Sequence, residues 1–304
     1  MDIREEIERL KSERNSVILA HNYQPPEIQD IADFTGDSLE LSIRASEVRS
    51  DVIVFCGVSF MAETAAVLAK GKTVLNPEPS ANCPMANMIN SEDVNHLKER
   101  HKGCGVMCYV NTSADVKAES DICCTSSNAE LIAGEYFDRD QEVVFIPDRN
   151  LALNTAGAAG RRFITWPGYC PTHARILPEH IKRKRYEHPH AEVLVHPECR
   201  PETCTHSDRL LSTGQMRRYV QESRRQEFII GTEEGMLYRL RSDNPDKSFY
   251  IASDIAVCPN MKKNTLDKVL DSLKNMDTRV EVEESVREKA GKAITRMIEI
   301  SKRG

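Results

Sequence analysis

Short apolar runs recur along the chain and alternate with longer amphipathic segments of helical period. This alternation predicts βαβ units, in which parallel strands are joined by right-handed helical crossovers. The first run of each successive group ends at polar residues: SVILA at His21-Asn22-Tyr23, GVMCYV at Asn111 and AEVLV at His196-Pro197-Glu198. We therefore expect polar side chains at the carboxyl ends of parallel strands, where ligands bind in α/β sheets.

These strand ends recur with a nearly constant period. Tyr23 and Asn111 are 88 residues apart, and Asn111 and Glu198 are 87 apart. A fixed period is typical of a duplicated structural unit. The sequence thus predicts an α/β protein built as a pseudo-threefold triplication of a three-layer αβα sandwich. Each unit would hold a small parallel sheet of three or four strands, with the active site at the centre.

Two further runs follow in each group. We predict the second strand of each unit in DVIVFCG, DICCTSS and EFIIGTEEG, and a third strand in KTVLNPEP, QEVVFIPD and KSFYIASD. On this alignment the middle unit carries an excess segment, 149–162, before Trp166. Its glycines favour either a mobile loop that could act as a lid or a tolerated surface insertion.

The same pattern sets the expected domain boundaries. Domain 1 would cover residues 1–88, domain 2 residues 89–174 and domain 3 residues 175–264. From residue 265 the pattern is helical and charged, with no fourth unit. We expect the C-terminal helices, 265–304, to pack back on domain 1.

Three of the ten cysteines precede a proline, and they follow the same period. Cys83-Pro84 and Cys170-Pro171 are 87 residues apart, and Cys258-Pro259 follows 88 residues later. Proline favours the first helical position, which puts each cysteine near a helix N-terminus, where backbone N–H groups stabilise a thiolate. Three such thiols meeting near the threefold axis would form a three-cysteine metal site.

The three-cysteine donor set is compatible with two kinds of metal centre. Three thiolates suit zinc with one vacant position, or a [4Fe–4S] cluster with one iron lacking a protein ligand. A motif with soft thiolates and no histidine favours iron–sulfur. A vacant position indicates chemistry rather than structure, because an unsaturated metal can polarise a substrate oxygen as a Lewis acid.

Composition narrows the functional class. The formal net charge of −6 argues against a dedicated nucleic-acid surface, and no apolar run approaches the length of a membrane span. The charged segment 1–14 is unlike a signal peptide, so we expect a cytoplasmic protein with reduced thiols. Cys56, Cys108, Cys123 and Cys124 lie in or beside strand-like runs and are expected to pack in the core, whereas Cys199 follows Glu198 and could line the cavity.

The motifs also carry a resemblance over essentially the whole chain. They are AHNYQ at 20–24, GDS at 36–38, CPMA at 83–86, YVNTSAD at 109–115, CTSSNAE at 124–130, WPGYCPTH at 166–173, VHPEC at 195–199, STG at 212–214 and CPNMK at 258–262. With these residues the chain resembles the quinolinate synthase family, the NadA family of de novo NAD biosynthesis.

The resemblance implies a fold, a cofactor and a reaction. Cys83, Cys170 and Cys258 would each supply one ligand to a [4Fe–4S] cluster whose open iron acts as a Lewis acid. The substrates would be iminoaspartate (iminosuccinate) and dihydroxyacetone phosphate, condensed to quinolinate, phosphate and water. The implied partners are these small molecules, with transient contact to the enzyme that supplies iminoaspartate, and neither nucleic acid nor membrane.

The resemblance also implies site roles. Glu198 would be the general base, because burial in a semi-enclosed cavity should raise its carboxyl pKa. His21 and Tyr23 would move protons on the triose. The implied substrate-binding set comprises His21, Ser38, Tyr109, Asn111, Ser126, His173, His196, Glu198 and Thr213. Ser38, Ser126 and Thr213 could instead be helix N-caps, and His173 could simply support the cysteine loop.

Two other classes of function use the same cysteines. An electron-transfer or redox-sensing protein would bury a cluster, and a zinc hydrolase would use a three-cysteine zinc site. The polar residues in register with the cysteines argue against electron transfer, which needs no convergent acid–base set. Metal analysis would separate the zinc enzyme from the iron–sulfur enzyme.

Overall fold

A computed structural model describes residues 2–303. Within this range three four-stranded parallel sheets share one topology, with strand orders β2-β1-β3-β4, β6-β5-β7-β8 and β10-β9-β11-β12. Each sheet with its helices forms one unit. The first unit contains α1 (Ile3–Glu13), β1 (Ser16–His21), α2 (Pro26–Ile31), β2 (Phe34–Gly36), α3 (Ser38–Glu47), β3 (Val52–Cys56), α4 (Ser59–Leu68) and β4 (Thr73–Leu75).

The other two units repeat this order. The second contains α5 (Ser91–Arg100), β5 (Gly105–Tyr109), α6 (Ala114–Ala118), β6 (Ile122–Cys124), α7 (Ala129–Glu135), β7 (Val143–Ile146), α8 (Arg149–Ala156) and β8 (Ile164–Thr165). The third contains α9 (Pro178–Glu187), β9 (Glu192–Val195), α10 (Pro201–Cys204), β10 (Arg209–Leu210), α11 (Thr213–Glu222), β11 (Glu227–Gly231), α12 (Met236–Asp243) and β12 (Ser248–Ile251). The predicted triplication of an αβα sandwich is confirmed.

An aspartate just before the second strand of each unit repeats with the chain period. One carboxylate oxygen of each accepts the backbone N–H of the first strand at 2.7–2.8 Å: Asp33 from Ile18, Asp121 from Val106 and Asp208 from Val193. Because this side chain satisfies a donor that edge pairing leaves free, the short second strand starts at the same place in every unit.

The alignment predicted for the middle unit is wrong. QEVVFIPD forms β7, which pairs with β5 as β3 pairs with β1, so it corresponds to DVIVFCG. DICCTSS supplies β6, the counterpart of the three-residue β2 and two-residue β10. Those two edge strands are too short to leave an apolar run, which is why the pattern missed them.

The segment expected to be an insertion or lid is also regular structure. Arg149–Ala156 forms α8, the crossover from β7 to β8, and so matches α4 and α12 of the other units. Its N-cap is Asp148, whose Oδ1 accepts the N–H groups of Asn150 and Leu151.

The C-terminal helices, α13 (Leu266–Asn275) and α14 (Glu284–Ser301), contact different units. α13 packs on α1 and β3, while α14 lies mainly on α6, β6 and α7 and also touches α4. The apolar side of α14, with Ala293, Ile294 and Met297, is buried in the core of the second unit. The domain boundaries drawn from the sequence stay predictions. Among residues 2–303 no helix has both the length and the apolar composition that a membrane crossing requires.

Candidate active site

The carboxyl ends of strands from all three units face one central cavity with about 680 Å³ of atom-free space. Every site residue predicted from the sequence lines it: His21, Tyr23, Ser38, Cys83, Tyr109, Asn111, Ser126, Cys170, His173, His196, Glu198, Thr213 and Cys258. Val58, Phe60, Met61, Met85 and Met261 add an apolar wall. The structure therefore brings the predicted set together, while the role of each residue stays a prediction.

The polar lining comes from equivalent positions of the repeat. His21, Tyr109 and His196 lie at the end of the first strand of their units, and Tyr23, Asn111 and Glu198 follow two residues later. Ser38, Ser126 and Thr213 occupy the matching place after the second strand. Equivalent positions of the repeat therefore carry different side chains in the three units, and all of them line the same cavity.

The serine and threonine positions are not helix N-caps. α3 is capped by Asp37 and α11 by Ser212, each one residue before the candidate, and Asn128 precedes α7. The alternative structural role considered for Ser38, Ser126 and Thr213 is therefore wrong. Thr213 Oγ1 instead accepts a hydrogen bond from Asn22 Nδ2 at 3.1 Å.

Each cysteine of the Cys-Pro series begins a single tight turn rather than an α-helix. Short 3-10 helices follow two of them, at Ala86–Met88 and His173–Arg175, and a turn follows Cys258. Burial raises the pKa of the Cys83 thiol to about 12, while the backbone N–H groups of Met85 and Ala86 act in the opposite direction.

The three thiols raise one another's pKa as well. Cys258 raises the pKa of Cys83 and Cys83 raises that of Cys170, in each case adding to the effect of burial. Soft donors that line one cavity, and that deprotonate only at a cost, fit a cationic metal centre, which would offset their negative charge. The chemistry of this donor set therefore fits the cluster implied by the sequence.

A second donor group shares Cys170. Its sulfur, an imidazole nitrogen of His173 and a carboxylate oxygen of Glu198 all lie within 4.8 Å of one another. His173 Nδ1 is 3.2 Å from Cys170 Sγ and 2.7 Å from Glu198 Oε2. The donor atoms of Cys170, His173 and Glu198 are thus close enough together to hold one metal ion.

His21 and His196 have the same local geometry. The Nδ1 of each accepts a backbone N–H two residues later, from Tyr23 at 3.1 Å and from Glu198 at 3.3 Å. Burial lowers the pKa of both imidazoles to about 3. Both rings are therefore neutral near pH 7 and carry their proton on Nε2, so each offers one hydrogen-bond donor.

The expected raised pKa of Glu198 is wrong for this conformation. Burial alone would raise the pKa of the carboxyl, but His173, His196 and the Tyr109 hydroxyl hold it well below the usual range. Tyr109 donates to Oε1, and Asn111 Nδ2 reaches the same oxygen at 3.4 Å. The sequence placed Glu198 in a semi-enclosed cavity but could not reveal the donors that saturate it.

Thr232 joins two of the predicted residues and was missed. Its Oγ1 lies 2.6 Å from the Tyr23 hydroxyl and 2.8 Å from His173 Nε2. Glu233 beside it and Thr172 line the cavity too. These residues follow strand β11 or Cys170, so the rule that strand ends meet at the cavity could have identified them.

The remaining cysteines divide by burial. Cys56, Cys108, Cys123, Cys124, Cys199 and Cys204 are buried, and Cys104 is partly buried at the edge of the second unit's core. Among the cavity-lining residues that the structure describes within 2–303, none is one of these seven cysteines.

Comparison with known proteins gives one consistent result. The family model described as quinolinate synthetase A protein matches residues 5–299. A protein named quinolinate synthase from Dehalococcoides mccartyi is 53% identical over 298 residues, covering 98% of each chain. Those named quinolinate synthase from Methanoregula boonei and Geobacter metallireducens are each 50% identical, over 296 and 298 residues. The alignment with the Methanoregula boonei protein covers 97% of each chain. The alignment with the Geobacter metallireducens protein covers 98% of this chain and 97% of the relative.

Proposed function

The chain belongs to the quinolinate synthase family, and from that premise we propose that it condenses iminoaspartate with dihydroxyacetone phosphate. The products are quinolinate, phosphate and two molecules of water, as a step of de novo NAD biosynthesis. The observation that carries the proposal is the meeting of three cysteines and a neutral, acid–base-capable polar set in one cavity.

Cys83, Cys170 and Cys258 hold a [4Fe–4S] cluster in this proposal. Three thiolates would leave one iron without a protein ligand, and the cluster would supply Lewis acidity for loss of a hydroxyl as water. Support comes from the arrival of one thiol from each unit and from the electrostatic need of three buried thiols for a cation.

Neutral donors bind the dicarboxylate. Among residues 2–303 no lysine or arginine lines the cavity, so the charge of iminoaspartate meets hydroxyl, amide and imidazole N–H groups. His21 and His196 each present an Nε2–H, and Ser38, Ser126 and Thr213 present hydroxyls. Converging neutral donors can bind carboxylates without a matching cation.

Glu198 is the proposed general base, and because its low pKa comes from the donors that now contact it, substrate would have to displace Tyr109 or His173 before the carboxylate takes a proton. It accepts a proton from carbon or from the imine nitrogen, and its contacts define where the proton can go next. Glu198 Oε2, His173 Nδ1, His173 Nε2, Thr232 Oγ1 and the Tyr23 hydroxyl form a continuous path, with separations of 2.7, 2.8 and 2.6 Å between side chains. This path connects the base to the opposite wall of the cavity, so Tyr23 can protonate or deprotonate an oxygen of the triose.

The other proposed features are simpler. We place the enzyme in the cytoplasm, where its ten free cysteines would stay reduced. Because the imine of iminoaspartate hydrolyses readily, transient contact with the enzyme that supplies it would favour delivery.

A zinc enzyme is the second candidate, because Cys170, His173 and Glu198 form a mixed donor group that zinc can accept. One experiment decides between them. Protein purified and reconstituted without oxygen is supplied with iminoaspartate and dihydroxyacetone phosphate, and quinolinate is quantified by mass spectrometry alongside iron, sulfide and zinc. We expect quinolinate in proportion to cluster content. Full cluster loading without quinolinate, or turnover that follows zinc, would overturn the proposal.

A further inference from the structure

Glu233 is a fully buried carboxylate that the proposed reaction does not use. It lies two residues beyond β11 and lines the central cavity. Its Oε1 accepts the backbone N–H of Cys258 at 3.0 Å, and its Oε2 accepts the backbone N–H of Gly235 at 2.7 Å. The carboxylate therefore fixes the backbone of a proposed cluster ligand directly.

Lys262 neutralises this carboxylate and reaches further. Its Nζ lies 2.9 Å from Glu233 Oε1 and 3.1 Å from Oε2, and it donates to the carbonyl oxygen of Tyr23 at 2.8 Å. Tyr23 belongs to the first unit, whereas Glu233 and Cys258 belong to the third. One ammonium group thus joins the cysteine turn of one unit to the polar strand end of another.

Gly235 allows this close approach. A Cβ at that position would lie 2.7 Å from the Tyr23 carbonyl oxygen, 2.8 Å from Lys262 Nζ and 2.9 Å from Glu233 Oε2. Real Cβ atoms do not pack at such distances. The backbone is therefore fitted to the contact between the units.

The equivalent positions of the other units show that the fold does not require a paired carboxylate here. Val58, two residues beyond β3, is apolar and buried. Asp148, two residues beyond β7, caps α8 with one oxygen and is also influenced by the backbone N–H of Cys170, but among residues 2–303 no lysine or arginine forms an ion pair with it. In the first unit the cysteine turn is held by Ser59 instead, whose Oγ lies 3.0 Å from Asn82 Oδ1.

We infer that Glu233 and Lys262 are positioning residues that couple the cluster ligand Cys258 to the active-site residue Tyr23. The inference rests on the proposed function in one respect, the assignment of Cys258 as a ligand. A charge-paired link of this kind keeps the ligand turn ordered for metal binding, as residues behind metal ligands generally do. It also transmits any displacement of the ligand turn to the backbone of Tyr23.

The test compares three variants of the full chain. Lys262→Met removes the ammonium, and Glu233→Gln/Lys262→Met removes both charges together, so that no unpaired charge is left buried. Arg217→Gln is the matched control, because Arg217 pairs with Asp243 at 2.5 Å in the same unit and neither residue lines the cavity. Hydrogen exchange of the backbone amides in 21–24 and 258–262 is measured with and without cluster, together with the rate of iron loss to a chelator.

In cluster-free protein, both Lys262 variants should exchange roughly tenfold faster than wild type in both segments, because a charged hydrogen bond between them is lost. Loading the wild-type protein with cluster should slow exchange in both segments. In Lys262→Met, loading should slow exchange in 258–262 but not in 21–24. Iron loss should accelerate about 10–100-fold in both Lys262 variants. Arg217→Gln should change neither quantity.

Unchanged exchange at 21–24 in both Lys262 variants would overturn the inference, as would an equal effect in Arg217→Gln. These outcomes remain readable if the proposed function fails, since exchange in cluster-free protein needs no metal. Failure of wild type to take up iron and sulfide would count against the cluster and not against the link between Lys262 and Tyr23.

Discussion

His173 Nδ1 lies 2.7 Å from Glu198 Oε2 and 3.2 Å from Cys170 Sγ. One imidazole therefore contacts both the proposed base and a proposed cluster ligand. Its other nitrogen reaches Thr232, which contacts Tyr23. The proposed base and the proposed metal site are consequently adjacent in this cavity, and substitutions must be designed to separate their effects.

Glu198→Gln separates them because it keeps the size and polarity of the side chain while removing the base. Turnover per loaded cluster should fall by about 10²–10⁴-fold, the usual contribution of a general base. Iron and sulfide content should remain that of wild type, because all three cysteines are unchanged. The measurement is quinolinate formation normalised to cluster content.

Thermal unfolding supplies the comparison for that variant. If Glu198 were only a partner for His173, losing this buried hydrogen bond would lower stability first. Near-wild-type turnover per cluster combined with a clearly lower unfolding temperature would contradict the catalytic assignment.

The two neutral histidines predict a pH dependence of stability. His21 and His196 have a pKa of about 3 when folded, against an ordinary value near 6.5, so the unfolded chain binds more protons between these values. Their contribution to stability is fully present above pH 6.5 and is lost as the pH falls towards 3. Together they should reduce the free energy of unfolding by about 3 kcal/mol per pH unit in the middle of that window.

Urea unfolding of cluster-free protein between pH 7 and 5 checks this slope. Asp148 acts in the opposite direction, because burial raises the pKa of its carboxyl, so variants are needed to isolate the histidine contribution. The double variant His21→Gln/His196→Gln should show a much flatter profile, whereas the exposed control His190→Gln should follow wild type. A double variant with the full wild-type slope would show that the two imidazoles are not held neutral.

Two glycines give a prediction about packing alone. Gly235→Ala places a methyl group against the Tyr23 carbonyl and the Lys262 ammonium, and it should lower the free energy of unfolding by about 1–3 kcal/mol. Gly134→Ala, in α7 with no atom near its Cβ position, should raise it by up to about 1 kcal/mol through helix propensity. Chemical denaturation of both variants tests the pair. A neutral Gly235→Ala would mean that the first and third units are not in close contact there.

The repeat made the outline of the fold and the site predictable from sequence. His21, Tyr109 and His196 occupy equivalent positions of the repeat, at the ends of strands that meet at one cavity. The three cysteines of the Cys-Pro series occupy a second set of equivalent positions and line the same cavity. The alignment inside the middle unit failed because β2 and β10 are too short to leave an apolar signal. The run that forms β6 was therefore matched to β3 and β11, and the run that forms β7 was matched to β4 and β12. This shift left α8 without a counterpart, so that it resembled an insertion.

Electrostatics could not be predicted in the same way. Burial of Glu198 was predictable, but the sign of its pKa shift depends on donors from the second and third units that meet only in the folded chain. The Glu233–Lys262–Tyr23 link was invisible for the same reason, since Tyr23 and Lys262 are 239 residues apart in sequence. The repeat period predicts which residues line the cavity, whereas their protonation and hydrogen bonds depend on side-chain contacts between units.

An open iron should make the enzyme sensitive to oxygen, because a site without a protein ligand admits solvent and oxidants. Exposure of the reconstituted protein to air should remove iron and turnover in parallel, and anaerobic reconstitution should restore both. Turnover that survives prolonged air exposure at constant iron content would argue for a closed cluster.

The most direct test of the account is cluster content in single cysteine variants. Cys83→Ala, Cys170→Ala and Cys258→Ala are reconstituted without oxygen beside Cys56→Ala and Cys123→Ala, whose thiols are buried away from the central cavity. Iron and sulfide are then measured per folded chain. Each of the first three variants should fail to hold a [4Fe–4S] cluster, while the two controls should load like wild type. Full loading in any one of the three would contradict the assignment of one ligand to each unit.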